Sequence, residues 1–384
     1  MIFPADDVVL ERPRPTPLYA AAASLSTANL WTSVNGFAAA RVFSSVEDEY
    51  KAATQGAVIA DFGPLARYAI RGRESAALLM RIVTAPAHRL SVGESARGLM
   101  LDDGGGVIDL AEISRLTDDL FLMTAPTPHP RIVQLAARGL DADVETISGV
   151  VASIGILGAS AYKALTAAGL KVPGEQIAAS AVLRGVETAA RPMQFGALSG
   201  IELIFPASDA LVVWERLMRK GAVTPIGLDA MEILRLEGGV PRPGADFSIL
   251  KPRAGERRPT PAEIGLPHLA PLDSGWFNGR RALRFRGSSQ RTALITVAID
   301  ADSILPGAIV YFGGKEAGRV TSSAWAPWIR RVLATVCISL DRSRKIADIS
   351  VASGTGARAA ARIFETVEGR LAGEYTASEE KTTE

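Results

Sequence analysis

The spacing of apolar and polar positions divides the chain into helical and strand-like segments. Residues 44–60 carry a helical pattern: Ser44 or Ser45 can cap it, and Glu47, Asp48 and Glu49 suit the positive end of the helix dipole. Gly56 falls near its close. Tyr68, Ala69 and Ile70 read as a short strand running into Gly72. Ala76, Leu78, Leu79, Ile82 and Val83 then share one helical face over 74–83, and the helix stops before Pro86. Two apolar runs, 99–101 and 107–108, flank Asp102-Asp103-Gly104-Gly105-Gly106, which is hairpin turn chemistry. A strand follows at 120–123 and a helix at 131–139, ended by a glycine. This irregular mixture favours an α+β fold over a doubly wound sheet.

Farther on, 150–157 reads as a buried strand and 160–168 as a helix closed by Gly169. Strands at 182–188 and 201–205 and helices at 209–220 and 227–238 complete a split βαβ order. Residues 239–262 mix Pro241, Pro243, Pro252, Pro259 and Pro261 with Arg242, Lys251, Arg253, Arg257 and Arg258. Two readings stand for that stretch: a solvated linker, or a cationic rim for an anionic ligand tail. Beyond 293, strands at 294–299, 308–312, 319–322, 332–340 and 347–351 are spaced as in a small β-barrel or jelly roll.

Charge and composition narrow the function classes. Forty-two Lys and Arg face 41 Asp and Glu, so no global field grips nucleic acid or an anionic membrane. The single cysteine, Cys337, allows no disulfide within the chain and reads as a small buried hydrophobe. His88, His129 and His268 are too far apart in sequence for a helical metal motif. The first residues lack the pattern of a secretory signal, no apolar run reaches membrane-spanning length, and residues 376–384 are polar enough for a disordered tail. The expectation is a cytoplasmic protein with neither nucleic-acid nor membrane partners.

Several local patterns occur in one order along residues 16 to 340. They include Thr16-Pro17-Leu18-Tyr19, Ala60-Asp61-Phe62, Gly105-Gly106-Val107-Ile108-Asp109 and Gly200-Ile201-Glu202-Leu203. Farther along stand Gly227-Leu228-Asp229-Ala230, Leu234-Arg235-Leu236-Glu237, Gly244-x-Asp246, Thr260-Pro261-Ala262-Glu263-Ile264-Gly265-Leu266 and Gly318-x-Val320-Thr321-Ser322. Taken together they resemble the glycine-cleavage T-protein (aminomethyltransferase) family. The helix from Ser45 to Tyr50 resembles its dimethylsulfoniopropionate demethylase branch. The resemblance implies a three-domain cloverleaf around a tetrahydrofolate channel, with a C-terminal β-barrel or jelly-roll domain. Its expected division is 1–60 with 150–250 as a discontinuous folate-binding domain, 61–149 inserted, 251–290 a connector, 291–375 the barrel and 376–384 the tail.

The resemblance also implies site residues. A carboxylate offers two oxygens to the paired N–H groups of a reduced pterin, and that reader falls on Glu202. The other reading of Glu202 is a side chain turned to solvent. On the ligand reading its carboxylate is unpaired in the empty protein, so removing it leaves stability unchanged or raised. The family's catalytic acid falls on Leu110; Asp109 is the nearest carboxylate and can replace it only if the strand slips or bulges. Arg191 and Arg235 are further cofactor-binding candidates, with Arg235 and Glu237 alternatively a structural ion pair between domains. Trp325 and Trp328, beside Arg330 and Arg331, are placed either to stack on the aminobenzoyl ring or in a barrel rim loop. Other family positions depart: Arg97, Thr124, Met231 and Ala326 replace a tyrosine, an asparagine, an arginine and a serine. The expected function is tetrahydrofolate-dependent aminomethyl or methyl transfer from a small-molecule one-carbon donor or a carrier protein. The alternative is a non-catalytic folate-binding or partner-binding subunit.

Overall fold

The computed structural model describes residues 12–170, 179–183, 185–250, 252, 256–273, 275–286, 290–340, 348–352 and 357–366. The expected polar tail, the two ends of the expected domain division, Lys251, Arg253 and the start of the 347–351 strand lie outside them. Among the described residues no helix is long and apolar enough to cross a membrane.

The chain begins with α1 (Tyr19–Leu25) and the hairpin β1 (Leu30–Val34) and β2 (Phe37–Val42). Helix α2 (Val46–Gln55) is capped by Ser45, whose hydroxyl oxygen accepts the Asp48 N–H at 3.1 Å. Glu49 is buried in its first turn and accepts the N–H groups of Phe43, Ser44 and Gly227 at 2.6, 2.8 and 2.7 Å. The helix expected over 44–60 is therefore too long. Gly56 ends it, and the β-branched Val58 and Ile59 enter strand β3 (Val58–Asp61), where two neighbouring strands bury them.

A five-stranded sheet follows, in the order β5-β6-β7-β4-β8. Its elements along the chain are β4 (Ala66–Arg71), α3 (Ser75–Ile82), β5 (Ser95–Leu101), β6 (Val107–Arg115), β7 (Leu120–Ala125), α4 (Pro130–Ala136) and β8 (Asp143–Thr146). Leu78 and Leu79 of α3 pack with Tyr68, Ile113, Phe121 and Met123 to close one face. In the β5–β6 hairpin Met100 lies opposite Asp109 but Leu101 lies opposite Val107, so Ile108 is an inserted bulge residue.

The six-stranded sheet, β10-β11-β12-β9-β3-β13, takes β3 from the start of the chain. The remaining elements are β9 (Val151–Leu157), α5 (Ala161–Ala168), β10 (Ala179–Leu183), β11 (Val186–Phe195), β12 (Leu198–Pro206), α6 (Ala210–Lys220), β13 (Thr224–Pro225) and α7 (Leu228–Gly238). The single strand expected over 182–188 is instead a hairpin: β10 turns into β11 through Gly185, whose φ of +84° suits glycine. Leu165 of α5 and Trp214 and Leu217 of α6 fill the core against Ile154, Leu203 and Phe205.

After the short helix α8 (Arg280–Arg286), a closed antiparallel barrel forms in the order β14-β17-β16-β15-β18-β19. Its strands are β14 (Thr292–Ile299), β15 (Ile309–Phe312), β16 (Lys315–Ala326), β17 (Arg331–Ser339), β18 (Ile349–Ala352) and β19 (Arg358–Ile363). Closure removes both sheet edges. Within the 239–262 stretch Phe247 is buried, and residues that follow it pack on the five-stranded sheet. Phe247, Ile264, Leu266 and Phe277 pack on Leu99, Leu101 and Val107 of the five-stranded sheet. The described arginines of the stretch form ion pairs within the chain: Arg258 meets Asp102 at 3.2 Å, Arg257 meets Glu263 at 2.6 Å, and Arg242 meets Glu232 at 3.3 Å.

Candidate functional site

A cluster of buried charge lies where the five-stranded and six-stranded sheets meet. Antiparallel pairing of β11 and β12 sets Arg191 opposite Glu202. Arg191 Nε donates to Glu202 Oε2 at 2.6 Å, and its Nη2 also reaches that oxygen. From the other sheet Arg67 of β4 places Nη2 2.5 Å from Glu202 Oε1, and Ser153 of β9 donates to the same atom at 2.5 Å. Arg191 reaches back with Nη1 to Glu112 Oε1 of β6 at 2.7 Å.

Arg191 thus bridges the two glutamates, and Arg67 holds Glu202 from the five-stranded sheet. The Arg67 side chain is 1% exposed and that of Arg191 4%. Arginine suits this place because its charge persists when desolvated and its planar fork matches a carboxylate.

Burial by itself would raise the Glu202 carboxyl, but the charges of Arg191 and Arg67 and the hydrogen bonds from Ser153 and Arg67 outweigh it and hold the group at about 2. Glu112 moves the other way. Burial pushes it up, and Arg191 only partly pulls it back while the neighbouring Glu202 charge adds to the rise. An ionised carboxylate has about four acceptor positions, and those of Glu202 are filled by four donors of this chain. The Glu112 side chain remains 25% exposed, and its second oxygen has no hydrogen bond among the described residues.

Register explains which carboxylates face the junction. Arg97 lies opposite Glu112, Glu112 opposite Thr124, and Thr124 opposite Arg67. Directly paired residues project from the same face, so the four make one polar row across β5, β6, β7 and β4. Leu110 shares the Glu112 face, two residues away. Asp109 is on the other side of the strand with Ala111 and Ile113, which belong to the core under α3. The bulge at Ile108 precedes Asp109 and leaves the alternation from Asp109 to Glu112 intact. Asp109 is fully buried. Its Oδ2 accepts from the Thr127 hydroxyl and from Thr127 N–H at 3.1 Å, and lies 2.7 Å from His129 Nε2. The condition under which Asp109 could stand in for the acid, a slip or a bulge that turns it over, is therefore not met by this bulge.

The other sequence candidates are distributed elsewhere. Arg235 is buried between Glu232 and Asp246, at 2.7 and 2.9 Å. Asp246 also accepts the hydroxyls of Thr321 and Ser322, each at 2.6 Å, so this cluster fastens α7 to the barrel. Glu237 does not pair with Arg235; it accepts from Tyr50 at 2.8 Å and from the Trp328 indole at 2.5 Å. The ion pair considered for Arg235 and Glu237 is thus replaced by two separate clusters. Trp325 is 40% exposed and lines a cleft of about 440 Å³ with Arg41, Glu47, Asp229 and Ser323. Neither tryptophan shares a hydrogen bond with the Glu202 cluster among the described residues. Arg191 alone of these candidates joins Glu202. Sequence reasoning missed Arg67 and Glu112, and the signal for Glu112 was its even spacing from Leu110 along one strand.

Two buried polar atoms of the junction have no hydrogen-bond partner among the described residues: Arg67 Nε and Thr124 Oγ1. Thr124 is 6% exposed. Buried orphans of this kind are rare in native proteins and call for a water, an ion or a ligand.

A family model described as the GCVT N-terminal domain matches residues 17–267. A probable aminomethyltransferase of Halobacterium salinarum is 27% identical over 299 residues, covering 74% of this chain and 80% of its own length. The aminomethyltransferase of Thermotoga maritima is 24% identical over 317 residues, covering 80% and 84%. That of Anoxybacillus flavithermus is 26% identical over 337 residues, covering 84% and 90%. The crystal structure of the glycine cleavage system aminomethyltransferase T from Bartonella henselae superposes with a TM-score of 0.80 at 18% identity, over 93% of this chain and 98% of that one.

Proposed function

The chain belongs to the GCVT family, and from that membership we propose that it is a tetrahydrofolate-dependent one-carbon transferase, moving an aminomethyl or a methyl group. The family's relatives are enzymes named as aminomethyltransferases, which supports the transferase reading. The observation that carries it in this molecule is the incompletely satisfied junction: two buried orphan atoms, Arg67 Nε and Thr124 Oγ1, beside a partly open carboxylate. A reduced pterin brings N–H donors next to a carbonyl, the complement of that set. The fit is not through Glu202 alone, since its acceptor positions are filled from within the chain. Bound folate supplies the nitrogen that accepts the carbon. The chain's own residues hold its ring, and Leu110 keeps the approach apolar.

The donor on this reading is a small molecule or an aminomethyl group borne on a carrier protein. A second reading, a non-catalytic folate-binding or partner-binding subunit, is favoured by Leu110 at the acid's place. Thermal denaturation with and without tetrahydrofolate tests the first reading: at 100 times its dissociation constant the ligand adds about 2.7 kcal/mol of stability, a shift of several degrees in Tm. An unmoved Tm at millimolar tetrahydrofolate rules out folate. A shift without transfer from either an aminomethyl-loaded lipoyl carrier or methylated donors selects the second reading.

A further inference from the structure

The polar row on the junction face contains one carboxylate that is both ionisable and reachable. Glu112 stands between Arg97 and Thr124 in register, and Arg191 holds only its Oε1 among the described residues. Thr124 stands between Glu112 and Arg67, and its hydroxyl is an orphan, as is Arg67 Nε. Read across the strands, the row presents an acceptor, then a hydroxyl, then an N–H donor, at the roughly 4.8 Å steps of neighbouring strands. A flat heterocycle with N–H groups next to a carbonyl matches that sequence of partners, with its donors on Glu112 and its carbonyl toward Thr124 and Arg67.

We propose that Glu112 is the ligand-reading carboxylate of this chain, with Thr124 completing the edge, and that Glu202 is a positioning residue that anchors Arg67 and Arg191. The inference rests on the folate reading above and assigns the contact that reading leaves open. Glu202 keeps its four internal donors throughout. Two guanidinium groups give it what a pterin edge would otherwise give, and the partly open carboxylate is Glu112 on β6.

The charged groups facing Glu112 are Arg97 of β5, Arg191 of β11, Arg67 of β4 and Glu202 of β12. Glu202, held at about 2, stays ionised through the neutral and mildly acidic range. Glu112 is the carboxyl of this set that burial pushes above its ordinary value. Accepting the ligand's N–H groups requires the ionised form, so affinity falls as pH falls through this raised value.

The test is calorimetric titration of the full chain with tetrahydrofolate between pH 5 and 8, for wild type, Glu112→Gln, Glu112→Asp and Thr124→Val. Melting curves verify that each variant is folded. Glu112→Gln is expected to weaken binding tenfold or more and to remove the part of the pH dependence beyond that of the ligand itself. Glu112→Asp restores part of both, which a merely structural role would not do. Thr124→Val, which touches no charge, is expected to weaken binding severalfold and carries the test if Glu112→Gln does not fold. Wild-type affinity and pH profile in both Glu112→Gln and Thr124→Val would overturn the assignment while leaving folate as the ligand. Absence of binding by wild type would overturn the folate reading itself, and the assignment with it.

Discussion

Two of the buried polar clusters differ in completeness. At the junction of α7 with the barrel, Asp246 accepts from Arg235, from the hydroxyls of Thr321 and Ser322 and from the Arg242 N–H, and the remaining guanidinium donors of Arg235 go to Glu232 and Val240. The donors and acceptors there meet inside the chain. At the junction of the two sheets, the same residue types form a network around Glu202 but leave Arg67 Nε and Thr124 Oγ1 without partners among the described residues and Glu112 partly open. A satisfied buried network specifies one geometry. An unsatisfied one costs free energy that a ligand can recover. Charge and burial are alike in the two clusters; on the proposed reading, the unpaired atoms of the second are what a ligand would meet.

The contrast is broken most severely at Glu202. Replacing it by alanine leaves two nearly inaccessible guanidinium groups facing each other, and loss of one side of a buried pair costs about 3–5 kcal/mol. Urea denaturation of Glu202→Ala should show a loss of that size. No relief of an unpaired carboxylate is expected, because the structure pairs it. A change below about 1 kcal/mol would mean that Glu202 does not anchor the arginines.

Acid reports the same cluster without mutation. The Glu202 carboxyl is held at about 2, below the ~4.3 of an unfolded glutamate, so the unfolded chain takes up the proton more readily. Its stabilisation is complete above about pH 5 and drains away as pH falls toward 2, by roughly 3 kcal/mol for this one group. Urea midpoints measured from pH 5 downward should fall in that window, and a flat profile would contradict the pairing.

The satisfied cluster should be more forgiving. Asp246→Ala removes an acceptor from four donors, but Arg235 retains Glu232 and the Val240 carbonyl. A loss of about 2 kcal/mol is expected by denaturation, with folate affinity unchanged. Equal losses in Asp246→Ala and Glu202→Ala would erase the distinction between the two regions.

Much of the fold was legible because its signals are local. Helical spacing marked α3, α6 and α7, and the turn chemistry of 102–106 placed the β5–β6 hairpin. The glycine after α5 is in the left-handed conformation that ends helices. Where local signals compete, the reading failed. The apolar run past Gly56 fits a helix as well as a strand, and its place between β9 and β13 decided for strand. The hairpin of β10 and β11 looked like one strand because its turn at Gly185 is short. At the site, Arg191 and Glu202 were named from the resemblance, but Arg67 and Glu112 were not, since nothing near either residue in sequence foretells a partner 135 or 79 positions away.

What the amino-acid order determined by itself was the alternation along β6. A strand's side chains change face at every residue, so Leu110 and Glu112 had to share one face and Asp109 the other once the strand ran without a further bulge. What only the tertiary structure decided was which face meets the six-stranded sheet and what waits there. That outcome depends on α3 covering the Asp109 side and on Arg67, Ser153 and Arg191 arriving from separate strands to fill the acceptors of Glu202. Hydrogen-bond capacity is finite and is used up by whichever donors the fold brings within reach, which is why the role of a carboxylate at this junction is set by its neighbours in space rather than by its neighbours in the chain.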